Sequence, residues 1–166
     1  MLLDSLHRLT LLVLLCLVQA LVFNRIRIDH CILPLVYVYF AIIFPRNYPK
    51  WASLLWAFFM GLCIDAFSNT PGLAAGSMTL VAVLQPYLLE LFLPRDAEDT
   101  IKASARSLGW GNFVSLASIL VIIYCVVFFT LESFSFFNWL NWLESIFGSI
   151  VLTLILIFTF ESVRKR

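Results

Sequence analysis

Apolar residues run along the chain in blocks separated by brief polar breaks: residues 6–23, 31–44, 51–67, 72–93, 113–131 and 139–160. Blocks near 20 residues suit a helix that must cross a hydrocarbon core of about 30 Å. The second block is shorter, so it reads either as a brief span, with Pro34 marking its first turn, or as a re-entrant piece. Several blocks are rich in β-branched and aromatic residues. They nevertheless lack the apolar/polar alternation of barrel strands and run too long for them. Lipid cannot satisfy exposed backbone groups, which leaves helices. The pattern predicts an all-α membrane protein of about six transmembrane helices in one bundle, a single polytopic domain over residues 1–166.

Composition points the same way: of 166 residues, 62% are apolar and 13% charged. A soluble domain carries about 25% charged residues, roughly twice as many. Built wholly as helix, the chain would be about 250 Å long, enough for several crossings but not ten. Net charge is +1, and no Lys/Arg-rich polar run offers a phosphate-reading surface, so no nucleic-acid partner is expected. Cys16, Cys31, Cys63 and Cys125 each stand among apolar neighbours without CxxC spacing. They read as small lipid- or core-facing hydrophobes, and no metal or cofactor is expected. The first apolar block is followed by Asn24-Arg25-Ile26-Arg27 rather than by a small-residue cleavage site, so it is expected to be retained.

Direction follows from the positive charges in the breaks. With the N-terminus inside, the inner side carries Arg8, Arg46, Lys50, Arg95, Lys102, Arg106, Arg164, Lys165 and Arg166, and the outer side only Arg25 and Arg27. Nine against two supports an even number of crossings, and both termini are expected in the cytoplasm. Trp51, Trp110, Trp139, Trp142 and the aromatic link at 132–138 fall near span ends, as an interfacial belt would. The one long polar segment begins at Pro94, carries Asp96, Glu98 and Asp99 early, and places Ile101, Ala105 and Leu108 at i, i+4, i+7. It predicts a cytoplasmic interfacial helix at about 95–109.

Few residues suggest chemistry. His7 and His30 fall on opposite sides in this topology, and no serine inside a span has a nearby base, so catalysis is not expected. Asp65 is the exception in its setting. A carboxylate at membrane depth costs several kcal/mol unless it is paired or interfacial. The following loop offers partners: Thr70 can cap, Pro71 takes the first helical position, and the N–H groups of Gly72 and Leu73 form a positive helix end. Asp65 then staples a helical hairpin; the competing reading is that it receives a ligand cation or a partner's Arg. Gly72-Leu-Ala-Ala-Gly76 is a literal GxxxG, followed by Ser77 and Thr79, and is expected to pack against the third helix rather than form a dimer seam. Gln85-Pro86 predicts a kink, with Glu90 near the cytoplasmic boundary. Gln19, Asn138, Asn141 and Glu144 read mainly as interhelical hydrogen bonds or interface residues, with pocket lining as the alternative.

The stretch Gly61-x-x-x-Asp65-x-x-Ser68-Asn69-Thr70-Pro71-Gly72, followed by a helix rich in small residues including Gly76, resembles the rod shape-determining protein MreD family. The resemblance is specific over about 61–86; elsewhere length, span count and basic tail fit. It implies a non-enzymatic component of the bacterial cytoplasmic (inner) membrane that acts in cell elongation and lateral peptidoglycan synthesis. Its implied partner is MreC, a single-span protein, and through it MreB and the polymerase RodA with its transpeptidase. The family is also similar in fold to the six-helix substrate-binding subunits of vitamin-uptake transporters, so a small-molecule-binding subunit is the alternative. Such a subunit would carry a capping outer loop and an Ala-x-x-x-Ala motif on its first helix, and residues 6–23 lack the motif.

Overall fold

The computed structural model describes residues 2–22, 33–93, 104–133 and 139–165. These form α1 (Leu2–Leu21), α2 (Val38–Ile42), α3 (Lys50–Ser68), α4 (Leu73–Phe92), α5 (Ala105–Leu108), α6 (Trp110–Glu132) and α7 (Trp139–Lys165), with no strand among the described residues. Helices α3, α4, α6 and most of α7 are long and apolar enough to cross a membrane, and residues 6–21 of α1 form a shorter apolar helix. Large apolar side chains such as Leu14, Phe59, Leu91 and Phe147 stand exposed on the outside of the bundle. An apolar exterior of this kind is unfavourable in water and natural in lipid. Arg25, Arg27, His30, Cys31, Asn138, most of the expected interfacial helix and the aromatic link at 134–138 lie outside the described residues.

The second apolar block departs from a continuous helix. Residues 33–37 are not helical, Pro34 does not open a helix, and only Val38–Ile42 complete a short one. From Leu35 to Ile42 the chain is buried to 2% exposure or less, in the centre of the molecule. Other elements satisfy its backbone. The Leu33 and Leu35 N–H groups donate to Ser149 Oγ and Thr153 Oγ1 on α7, at 3.1 and 3.0 Å. Gln19 Nε2 on α1 donates to the Pro34 carbonyl, and Gln85 Nε2 on α4 donates to the carbonyls of Ile42 and Phe44. The register is simple geometry: two residues of extended chain advance about 6.6 Å, and four residues of helix about 6 Å. Alternate N–H groups of the segment therefore meet every fourth side chain of α7. Irregular backbone is tolerated at membrane depth where protein rather than lipid surrounds it.

Contacts also sort the element ends. The Arg8 guanidinium lies 3.7 Å from the centre of the Tyr48 ring and 5.2 Å from that of Phe44, and Lys50 Nζ lies 4.8 Å from the Tyr87 ring. Asn112 Nδ2 donates to the Phe92 carbonyl, and the Ala105 N–H donates to Glu161 Oε1. One end of the bundle thus gathers the start of α1, the α2–α3 connection, the end of α4, α5, the start of α6 and the end of α7. Gln19 near the end of α1 and the α3–α4 turn lie at the other end. Helix α4 runs on through Pro86, whose neighbour Gln85 faces inward.

Candidate functional site: the Asp65 hairpin

Asp65 sits in the last turn of α3 and is 4% exposed. Its Oδ1 accepts from the Thr70 hydroxyl at 3.0 Å and from the Ala74 N–H at 2.9 Å, and its Oδ2 accepts from the Ala75 N–H at 2.9 Å. Ala74 and Ala75 are the second and third residues of α4, the positions whose free N–H groups an N-cap side chain ordinarily takes. The local N-cap, Gly72, has no side chain to do this. Asp65 caps α4 from the neighbouring helix, with its charge at the positive end of the peptide dipoles.

The turn shows why the chain can deliver those groups. Asn69 closes α3 in the left-handed region at φ 57°, a conformation asparagine tolerates, and its N–H bonds the Asp65 carbonyl. Thr70 N–H bonds the same carbonyl at 3.2 Å. Gly72 has φ 85°, which glycine adopts without strain. Pro71 occupies the turn rather than the first helical position, and α4 begins two residues later. That offset moves the expected contact from the N–H groups of Gly72 and Leu73 to those of Ala74 and Ala75.

The close approach of α3 and α4 is real, but Gly72 and Gly76 do not make it. A Cβ at either position would meet nothing within 4 Å, and both residues are exposed. With α4 starting at Leu73, its inward face is Ala74, Ala75, Met78, Ala82, Gln85 and Leu89, which turns Gly76 outward. The contact belongs to Gly61. A Cβ there would lie 2.4 Å from the Ala75 Cα and 2.7 Å from the Ala74 carbonyl oxygen. Ser68, half-buried, closes the last turn of α3 beside the turn.

Away from the hairpin, Gln19 donates from α1 to the Pro34 carbonyl of the irregular segment and also lines a cavity, Glu144 is exposed, and the Asn141 side chain lies outside the described residues. A second buried acid escaped the sequence reading. Glu161 on α7, 3% exposed, accepts from the Tyr39 hydroxyl and the Ala105 N–H, tying α7 to the central segment and to α5. Its signal was available: Ser145, Ser149, Thr153 and, after the apolar Ile157, Glu161 fall on one four-residue spacing along α7, and all of them are buried. Deeper still, Tyr37 and Tyr124 share a hydrogen bond between their hydroxyls, with rings edge to face at 5.7 Å.

Comparison with protein-family models, with curated proteins and with solved structures finds no match.

Proposed function

We propose that this chain is an integral membrane scaffold of the bacterial cell-elongation complex, in the manner of the MreD family. In this reading it crosses the cytoplasmic membrane six times, the central irregular segment being the second crossing, with both termini inside. It binds an MreC-like single-span partner and, through it, MreB and RodA with its transpeptidase. The observation that carries the reading is the Asp65 hairpin. The stretch with the family resemblance is where a buried acid, a backbone-to-backbone helix contact and a tight turn depend on one another. Three hydrogen bonds from its own hairpin engage the carboxylate, which favours a fixed architectural element over a proton carrier or ligand site. The gathering of Arg8, Lys50 and Arg106 at one end of the bundle agrees with the positive-inside direction.

Uptake of a vitamin-sized molecule is the competing reading. A cavity beside the hairpin measures about 150 Å³. Sites for ligands of that size are usually about 300 Å³ or larger, which weighs toward the scaffold. Co-purification from detergent with an MreC-like chain, together with rounding of rod-shaped cells on depletion, is the expected result. A stoichiometric vitamin in native mass spectra, with no partner retained, would overturn the proposal.

A further inference from the structure

The end of the bundle that gathers Arg8 and Lys50 has a chemistry the hairpin does not use. Arg8 lies in the first apolar block, half-buried on α1, with its guanidinium 3.7 Å from the centre of the Tyr48 ring. That is van der Waals contact, with no room for water between them. Tyr48 is itself held in place: it stacks on Phe44 at 5.5 Å, and its hydroxyl accepts from Trp56 Nε1 at 3.1 Å. A ring face attracts the cation but gives no lone pair to the five guanidinium N–H groups, and the Tyr48 hydroxyl still has its own proton to donate. Lys50, two residues along and so within about 7 Å by backbone, sets its Nζ 4.8 Å from the Tyr87 ring on α4. Among the described side chains no carboxylate forms an ion pair with either cation. Glu161, the buried acid at this end, is taken by Tyr39 and the Ala105 N–H, and Glu90 stands exposed one turn beyond Tyr87. Arg8, Tyr48 and Lys50 are therefore all donors, and their complement is an anion with several lone pairs. A phosphate suits the planar fork of an arginine best.

Depth decides where that phosphate comes from. Trp51 is 68% exposed and Tyr87 60%, amphipathic rings of the kind that sit at headgroup level. Leu9 and Leu55, also exposed, continue the apolar exterior on α1 and α3 and offer a surface to acyl chains. A phosphate carried by a lipid is already at that level, whereas a free ion has to be drawn from water against screening by salt.

We propose that Arg8, Tyr48 and Lys50 form a binding site for the phosphate of an anionic phospholipid. The site requires that the bundle span a membrane and is independent of the scaffold reading. The test uses the full-length protein, delipidated in detergent at about 0.15 M salt, where charges farther off than about 8 Å are screened. It is titrated with phosphatidylglycerol, phosphatidylcholine or inorganic phosphate, and binding is read by native mass spectrometry and thermal unfolding. Phosphatidylglycerol should be retained about tenfold better than phosphatidylcholine, whose trimethylammonium offsets the phosphate charge. Arg8→Gln should lower phosphatidylglycerol retention about tenfold and Lys50→Gln about fivefold. Lys50 is exposed, so its variant should keep the wild-type melting temperature without lipid and tests the site even if Arg8→Gln folds poorly. Arg106→Gln makes the same change of charge on α5, which packs on α6 and α7, and should lower retention by less than about twofold. Equal retention of the two lipids, equal losses from Arg106→Gln and Lys50→Gln, or stabilisation by inorganic phosphate as strong as by phosphatidylglycerol overturns the proposal.

Discussion

Gly61 and Ala75 meet backbone to backbone: a single methyl group on Gly61 would stand 2.4 Å from the Ala75 Cα and 2.6 Å from its nitrogen. The same Ala75 nitrogen donates to Asp65 Oδ2 at 2.9 Å. The helix contact and the cap are one device, because any shift that made room for a side chain at 61 would pull Ala75 off the carboxylate.

Gly61→Ala should therefore destabilise the protein by about 3 kcal/mol, the upper end of the usual cost of overpacking. Gly76→Ala, in open space, should stay within about 0.5 kcal/mol. Paired unfolding measurements in one detergent check this. Equal effects would show that the GxxxG spacing, not Gly61, sets the approach.

Asp65→Asn should be nearly as harmful as Asp65→Ala, although it is closer in shape. An amide can present only one oxygen, so its NH₂ would face either the Ala74 or the Ala75 N–H. A buried donor left unsatisfied costs about 1–3 kcal/mol. Thr70→Val, which removes one donor and orphans nothing on the backbone, should cost about 1 kcal/mol. Melting temperatures that rank Asp65→Asn beside Thr70→Val would contradict the cap.

Thr153→Val keeps the shape of a fully buried side chain but removes the acceptor of the Leu35 N–H. Hydrogen exchange at residues 33–37 should accelerate by about tenfold or more, from an opening cost of about 1–3 kcal/mol. Exchange in α3 and α4, which do not share this bond, should change far less. Unchanged protection at Leu35 would mean that the hydroxyl is dispensable.

The proposed orientation can be read directly in cells. In a background without the native cysteines, Asn69→Cys should react with a membrane-impermeant maleimide added outside, and Ser107→Cys should react only after permeabilisation. The opposite labelling would invert the topology that the positive charges suggest.

Much of the hairpin was legible in the sequence, because an acid followed by Thr70, Pro71 and Gly72 is a local signal whose partners lie within ten residues. What local reasoning misplaced was the helix start, and with it the inward face of α4. Gly72 in a left-handed turn delays the helix by two residues, and that rotation exchanges Gly76 for Gly61 as the point of closest approach. The central segment was not legible in the same way. Its short length was visible, but its irregular form depends on hydroxyls far along the chain, which a window of periodicity cannot see. The four-residue spacing of Ser145, Ser149, Thr153 and Glu161, interrupted by Ile157, was the trace of that dependence, and it reads as a stripe only once a buried partner is looked for.

The bonds from Leu33 to Ser149 and from Leu35 to Thr153 join positions 116 and 118 residues apart. A nascent chain makes the donors early and the acceptors almost last. Until α7 arrives, the N–H groups of 33 and 35 have no such partners, and irregular backbone with bare amides is not a stable occupant of lipid. Assembly therefore finishes from the C-terminal helix inward: a ribosome-tethered chain stopped before Ser149 should leave residues 33–44 in a different, more exchangeable state than the finished protein. The last helix to be synthesised is what lets the second segment settle.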